Sequence, residues 1–302
     1  MKKTLTIAMV LFVAYATAAF YFSGEITTFK VKSKETVLAE DNLRGYADVD
    51  LPRPEDVSVT GGQVELNGWL FVNRKNRRCG VILHHGHAAN RNGMLKYAKL
   101  FWPRGCHLLM FDARHHGQSA GTFATWGVRE RDDLVIVADW FAKRTGLPHE
   151  KIGLFGASMG AAIVLQAAPL TPDFAFVAAD SPFRDLDSIL KYRGSTLYGK
   201  APILALYPAA SWIAGLRGNF RTEDASPLSA APHIEIPVFM THVKDDDAIP
   251  FTHSEEVFAA IGHNRKTLHL VDKGGHCGLI KTNPTLYAAW MDDFLKKFAP
   301  EF

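Results

Sequence analysis

The feature that most restricts the fold is an alternation. From Cys79 onward, short apolar runs rich in Val, Ile, Leu and Phe take turns with longer stretches of helical character: CGVILHH, NGMLKYAKLFW, CHLLMFD, VRERDDLVIVADWFAKR, KIGLF, SMGAAIVLQAA and FAFVAAD. Strands that read as unbroken apolar runs must be covered on both faces, and the intervening helices supply the cover, so the chain is expected to build a mostly parallel sheet. The right-handed crossover rule makes that sheet doubly wound α/β. Just upstream, DVSVTGGQVELNGWLFV alternates apolar and polar residues around Gly61 and Gly62, the pattern of an N-terminal antiparallel hairpin. The globular domain is therefore expected to span residues 56–302. A chain of 302 residues that is 47% hydrophobic can fill the core such a sheet needs.

After Pro182 the alternation stops for about fifty residues, longer than a plain connection in a compact domain. Segments such as LDSILKYRG and APILALYPAASWIAGL are apolar and helical in character, so residues 183–232 read as a small helical lid over the strand ends. Its Leu, Tyr and Trp side chains are expected to serve both its own packing and the wall of an acyl pocket. The sheet then resumes with IPVFMTH, the helix THSEEVFAAIG, the strand KTLHLV and a last helix PTLYAAWMDDFLKKF.

Lys2 and Lys3 precede an uncharged, largely apolar stretch from Thr4 to Phe22, and the next charge is Glu25. Residues 1–23 thus read as a membrane-targeting segment. One form is a cleaved secretory signal with its small residues between Ala14 and Ala18; the other is an uncleaved signal anchor, favoured because the apolar run continues through Phe20, Tyr21 and Phe22. Either form exports the domain. A buried helix of a cytosolic protein is the remaining reading. Residues 24–55, closed by Pro52 and Pro54, are expected to be a polar linker.

The chemistry starts at GASMG, residues 156–160, between the strand KIGLF and the helix MGAAIVLQAA. A nucleophile on a sharp strand-to-helix turn needs very small neighbours, which is why G-x-S-x-G carries a mechanism and marks Ser158. The following helix start offers the Met159 backbone N–H to a developing oxyanion. A serine hydroxyl needs a base, and the base needs an orienting acid, in the chain order Ser, acid, His. His276, past the strand LHLVD in the glycine-rich loop KGGHCG, is the base. His269, within the strand, and His263, on a helix end, read as packed or solvated. Asp245, Asp246 and Asp247 all end the strand VFMTHV, and periodicity does not separate them. Asp180, after FAFVAAD, is a distant alternative acid.

VFMTHVKDDDAIP resembles the H-G-x-x-D-x-x-V-P segment of the α/β-hydrolase superfamily, with Val243 in place of the usual glycine. HHGHAANR resembles the superfamily's His-Gly motif, and FDARHHGQSAG its D-x-R-G-H-G-x-S segment, with His115 where Gly is usual. The resemblance runs from about residue 56 to the C-terminus and is nearest to the serine-aminopeptidase-like and lysophospholipase-like esterases. It implies the α/β-hydrolase fold, Asp246 as the triad acid, and the backbone N–H of His87 as the second oxyanion donor beside Met159. The implied activity is acyl transfer to water on esters or thioesters, with amide or peptide cleavage as the alternative. A catalytically silent, membrane-tethered binding protein is the reading from a different class; against it, every triad position holds the required residue type.

Several readings concern what is not expected. Lys+Arg of 34 against Asp+Glu of 31 is too balanced for a nucleic-acid track. Arg74, Lys75, Arg77 and Arg78 read as a solvated turn. Cys79, Cys106 and Cys277 form no CxxC pair, so neither a zinc site nor a disulfide framework is indicated, and Cys79 and Cys106 read as small core residues. His84, His85, His87, His115 and His116 lack a carboxylate at ligand spacing, so no metal or organic cofactor is expected. The expected partners are an acyl substrate, small or lipid-like, and the membrane through the N-terminal segment.

Overall fold

Strands without a polar face belong in the middle of a covered sheet. That is where β3 (Gly80–His84) and β5 (Ile152–Ala157) lie, every residue of both buried. A computed structural model of the chain describes residues 2–61, 64–75 and 78–302. Gly62 of the expected hairpin turn and Arg77 of the basic cluster lie outside the described residues. The strands form one eight-stranded sheet in the order β1-β2-β4-β3-β5-β6-β7-β8. β1 (Glu55–Gly61) and β2 (Val64–Phe71) make the antiparallel hairpin, and β2 joins β4 (His107–Phe111) antiparallel. The pairs from β4 through β3, β5, β6 (Phe176–Asp180) and β7 (Val238–Val243) to β8 (Lys266–Val271) are parallel. The doubly wound, mostly parallel sheet read from the alternation is the observed one.

Side chains alternate across this sheet. Ile82, Leu109, Leu154 and Val177 enter one core with α3 (Glu130–Thr145) and α4 (Met159–Ala167). Val81, Leu83, Leu108 and Phe155 enter the other, closed by α10 (Pro284–Phe298) after the short α9 (Leu279–Thr282). α8 (Thr252–Ala260) joins β7 to β8. The run NGMLKYAKLFW, expected to be an α-helix, winds as a 3-10 helix over Arg91–Leu100. The longer rise per residue lets it span further, and it buries Met94, Leu95, Tyr97, Ala98 and Leu100.

Two expectations need correction. Cys79 and Cys106 are joined by a disulfide, with their Cα atoms 4.5 Å apart. Each precedes a strand of one parallel pair whose register matches Gly80 to His107, so the residues before them lie side by side. Spacing along the chain does not reveal that adjacency. Residues 24–55 do not stand off the domain as a linker. α1 runs Lys2–Thr27, and its last carbonyls are taken by the domain: Ile26 O accepts from Trp126 Nε1 at 2.7 Å and Thr27 O from Ala124 N at 2.9 Å. Helix ends leave such carbonyls without intrahelical partners, so this docking satisfies them. Phe29 is buried, and α2 (Lys34–Glu40) buries Val37 and Leu38.

The segment after β6 holds α5 (Leu186–Tyr198), α6 (Lys200–Gly218) and α7 (Pro227–Ala230). α5 and α6 fold back on each other through Gly199 at φ 87°, a left-handed backbone suited to glycine. α1 lies along α6: Tyr15 Oη donates to Ala205 O at 2.8 Å and Arg217 Nη1 to Ser23 Oγ at 2.9 Å. Ile26, Ala210 and Ala214 pack between them. α1 is, among the described residues, the one helix long and apolar enough to cross a membrane.

Candidate active site

Ser158 stands between β5 and α4 at φ 57° and ψ −120°, a backbone conformation that side-chain-bearing residues rarely adopt. Its glycine neighbours permit the turn. A Cβ on Gly156 would lie 2.2 Å from Gly160 O, and one on Gly160 only 2.1 Å from His84 O. The turn lies where the strand order reverses, between β3 and β5, the place where open α/β sheets bind ligands.

His276 Nε2 lies 2.8 Å from Ser158 Oγ, and His276 Nδ1 lies 2.6 Å from Asp246 Oδ2. In the arrangement this requires, Nδ1–H donates to the carboxylate and Nε2 accepts from the serine hydroxyl. Asp246 is held from its other side: Oδ1 accepts from the backbone N–H of Ala248 at 2.8 Å and of Ile249 at 2.9 Å. His242 Nε2 donates to Oδ2 at 3.1 Å, and its own Nδ1 lies 2.7 Å from Ser254 Oγ.

Burial alone would raise the Asp246 carboxyl, but hydrogen bonds from His242 and His276, the His276 charge and the Ile249 N–H outweigh it, leaving it below the usual carboxylate range. Burial likewise opposes a charge on His276. The Cys277 sulfur beside it and the hydrogen-bonded Asp246 carboxylate prevail, and the imidazole titrates well above an ordinary histidine. The pair is thus an ionised carboxylate set against a ring of raised basicity, joined by charge as well as by the Nδ1 hydrogen bond.

The neighbours are sorted by position. Asp245 is exposed, and its Oδ1 accepts from Gly274 N at 3.0 Å and Gly275 N at 2.8 Å. It staples the loop that carries His276. Asp247 is exposed. The Asp180 carboxylate is occupied by Tyr97 Oη at 2.8 Å and Ser181 Oγ at 2.9 Å, and the Asp180 backbone O accepts from Ser158 N at 2.8 Å. His269 stacks on Trp290 with ring centroids 4.2 Å apart, and His263 Nδ1 accepts from Arg265 N. Cys277 is a buried free thiol. The roles of His242 and Asp245 escaped the sequence reading, although both belong to the quoted HVKDDDAIP segment.

The loop after β3 brings Gly86 against Ser158: a Cβ there would lie 3.1 Å from Ser158 Cβ. His87, next along that loop, lines the same cavity as Ser158, Met159 and His276. Its ring is stacked on Trp126 at 4.8 Å on the cavity wall, where the residue keeps solvent exposure; the surrounding protein, then the charges of His116, Arg193, Lys32 and His115, lower its pKa and favour the neutral ring. Met159 opens α4, so its N–H is one of the first-turn donors without an intrahelical acceptor. The other histidines bind the backbone: His85 Nε2 accepts from Ala113 N, and His115 Nε2 pairs with Phe29 O. Among the described residues, no group of three or more His, Cys, Asp or Glu is placed to hold a metal ion.

The cavity holds about 400 Å³. Trp126 and Phe183 wall it from the domain, Ile189, Leu197 and Tyr207 from the α5–α6 hairpin, and Phe22 and Ile26 from α1.

Comparison with known proteins gives three further findings. The profile of the prolyl oligopeptidase family matches residues 118–300. Protein YqkD of Bacillus subtilis is 31% identical over 302 residues, covering 98% of this chain and 97% of its own length. Among solved structures, the Pyrococcus furiosus esterase Pf2001 superposes with a TM-score of 0.70 at 22% identity, over 90% of this chain and 98% of its own. Pyrococcus horikoshii acylaminoacyl peptidase does so with a TM-score of 0.64 at 17% identity, over 83% of this chain and 42% of its own.

Proposed function

The chain belongs to the prolyl oligopeptidase family, and from that premise we propose that it is a serine hydrolase cleaving carboxylic esters or thioesters of acyl substrates. The observation that carries this reading is the continuous hydrogen-bonded line from Ser158 Oγ to His276 at 2.8 Å and on to Asp246 at 2.6 Å, on the floor of an apolar cavity. Ser158 attacks the substrate carbonyl carbon while His276 Nε2 takes the hydroxyl proton, and Asp246 stabilises the imidazolium. The backbone N–H groups of His87 and Met159 hold the tetrahedral oxyanion. The intermediate collapses by breaking the bond to the alcohol or thiol, which leaves with the proton from His276. Water, activated by the same ring, then releases the acid from the acyl-enzyme.

Ester or thioester cleavage is preferred over peptide cleavage because the cavity walls offer an acyl chain aliphatic and aromatic surface. We read α1 as a membrane anchor with the catalytic domain outside the cytoplasm. The Cys79–Cys106 disulfide supports that side of the membrane, since such bonds persist in oxidising compartments. A fluorophosphonate probe tests the nucleophile: the native chain labels and Ser158→Ala does not. Labelling of both, or of neither, removes the assignment. Turnover of p-nitrophenyl and thioester acyl chains alongside aminoacyl anilides tests the substrate, and a preference for the anilides rejects the esterase reading.

A further inference from the structure

The unencumbered part of α1 is too short to cross a bilayer by itself. Residues 2–15 are exposed, and apart from the Tyr15 hydroxyl's bond to Ala205 O, burial against the rest of the protein begins at Ala16. At 1.5 Å per residue, Thr4–Tyr15 covers about 18 Å of a hydrocarbon core about 30 Å thick. The missing length must come from Ala16 to Ser23, the stretch that lies along α6, with Phe22 against Ala210 and Ala214 and Ser23 bonded to Arg217. If α1 spans, lipid must therefore also meet the hairpin beside it.

The hairpin is built for that. Between Lys200 and Arg217 the sequence APILALYPAASWIAGL carries no charge. Its outer face exposes Leu204 by 53%, Trp212 by 67% and Leu216 by 63%, and the α5 end adds Leu197 at 63%. In water such a patch is a liability, and beside an apolar membrane helix it continues the same surface. The charge at the domain end sits on a long side chain able to reach headgroups: the Arg217 guanidinium lies over the Phe20 ring at 4.9 Å.

The cavity opens on this side. Leu197 and Tyr198 line it and are at least half exposed, and the Tyr198 ring meets Phe22 of α1 at 5.1 Å. We propose that the exposed face of the α5–α6 hairpin is immersed with α1 in the leaflet on the domain's side. The cavity over Ser158 then opens into lipid, and the substrate is an ester of a bilayer-resident amphiphile that enters laterally between α1 and the hairpin. The substrate half rests on Ser158 as nucleophile; the immersion of the hairpin does not.

The test uses the full chain in phosphatidylcholine vesicles. A Leu204→Cys variant carries an environment-sensitive fluorophore, with Lys143→Cys, at an exposed position of α3, as the aqueous reference. Lipids spin-labelled on the acyl chain are expected to quench residue 204 and not 143, and iodide the reverse. Equal iodide quenching at both positions overturns the immersion, whether or not the protein turns over. Leu204→Glu, at a position outside the cavity lining, separates the second half. It is expected to hydrolyse soluble p-nitrophenyl acetate at the native rate, and monooleoylglycerol in vesicles about tenfold more slowly, the partition lost with one leucine's burial. An unchanged rate on the vesicle substrate overturns lateral entry. Failure of Ser158 itself would show instead as no turnover of the soluble ester by the native chain.

Discussion

Asp246 differs from the aspartates on either side of it in what holds it. Its side chain is fully buried, whereas Asp245 and Asp247 face solvent. Two backbone N–H groups and two imidazoles stabilise its charge, so its replacement should be far more damaging than theirs. Asp246→Asn keeps the shape but presents the wrong partner to Nδ1–H, and kcat should fall by about 10⁴-fold with little change in KM. Asp245→Asn should cost much less, since its loop contacts are to backbone; steady-state kinetics on a p-nitrophenyl ester compare the two. The raised pKa of His276 fixes the sign of the pH response. Protonated His276 accepts nothing from Ser158, so kcat/KM should climb as pH rises through that pKa, with a midpoint above 6.5. A midpoint at or below 6.5 in the pH–rate profile would contradict the charge pairing. At Gly160 the argument is steric: Gly160→Ala places a methyl 2.1 Å from His84 O, and thermal melting should show a loss of about 1–3 kcal/mol or failure to fold.

The elements bring these residues together through a few cross-links. The disulfide fastens the starts of β3 and β4 across a separation of 27 residues. Replacing both partners, Cys79→Ala with Cys106→Ala, should cost about 2–4 kcal/mol by relieving the constraint on the unfolded chain. Denaturant titration reads this as a lower midpoint, and an unchanged midpoint would mean the bond contributes nothing in solution. The hairpin and the last helix were legible because alternation and helical periodicity are local properties. The 3-10 winding of residues 91–100 was not, because it answers to the gap between β3 and the neighbouring strand it must bridge.

At the scale of the molecule, the N-terminal helix is part of the domain and not a tether to it. Its end is bonded to Trp126 and Ala124, and its Phe22 and Ile26 wall the cavity. On the proposed orientation, with the domain outside the cytoplasm, protease added outside intact cells should reach it and leave the N-terminal fragment in the membrane fraction; immunoblotting from both ends checks it. Protection of the whole chain would place the domain on the cytoplasmic side. The helix was visible in the sequence by its uncharged run. Its docking was not, because the partners, Ala205, Arg217 and Trp126, lie far along the chain.

What the sequence determined by itself follows from short-range rules. The order of strands and helices and the serine on a glycine-flanked turn are written in periodicity and steric size. So is the histidine on a glycine-rich loop, together with the apolar N-terminus. The tertiary structure alone decided which cysteines are neighbours and which helices wall the cavity, and it encloses Asp246, the aspartate the resemblance singled out. Those depend on burial and on strand adjacency, and both are set by contacts between residues whose separation along the chain carries no record of their distance in space.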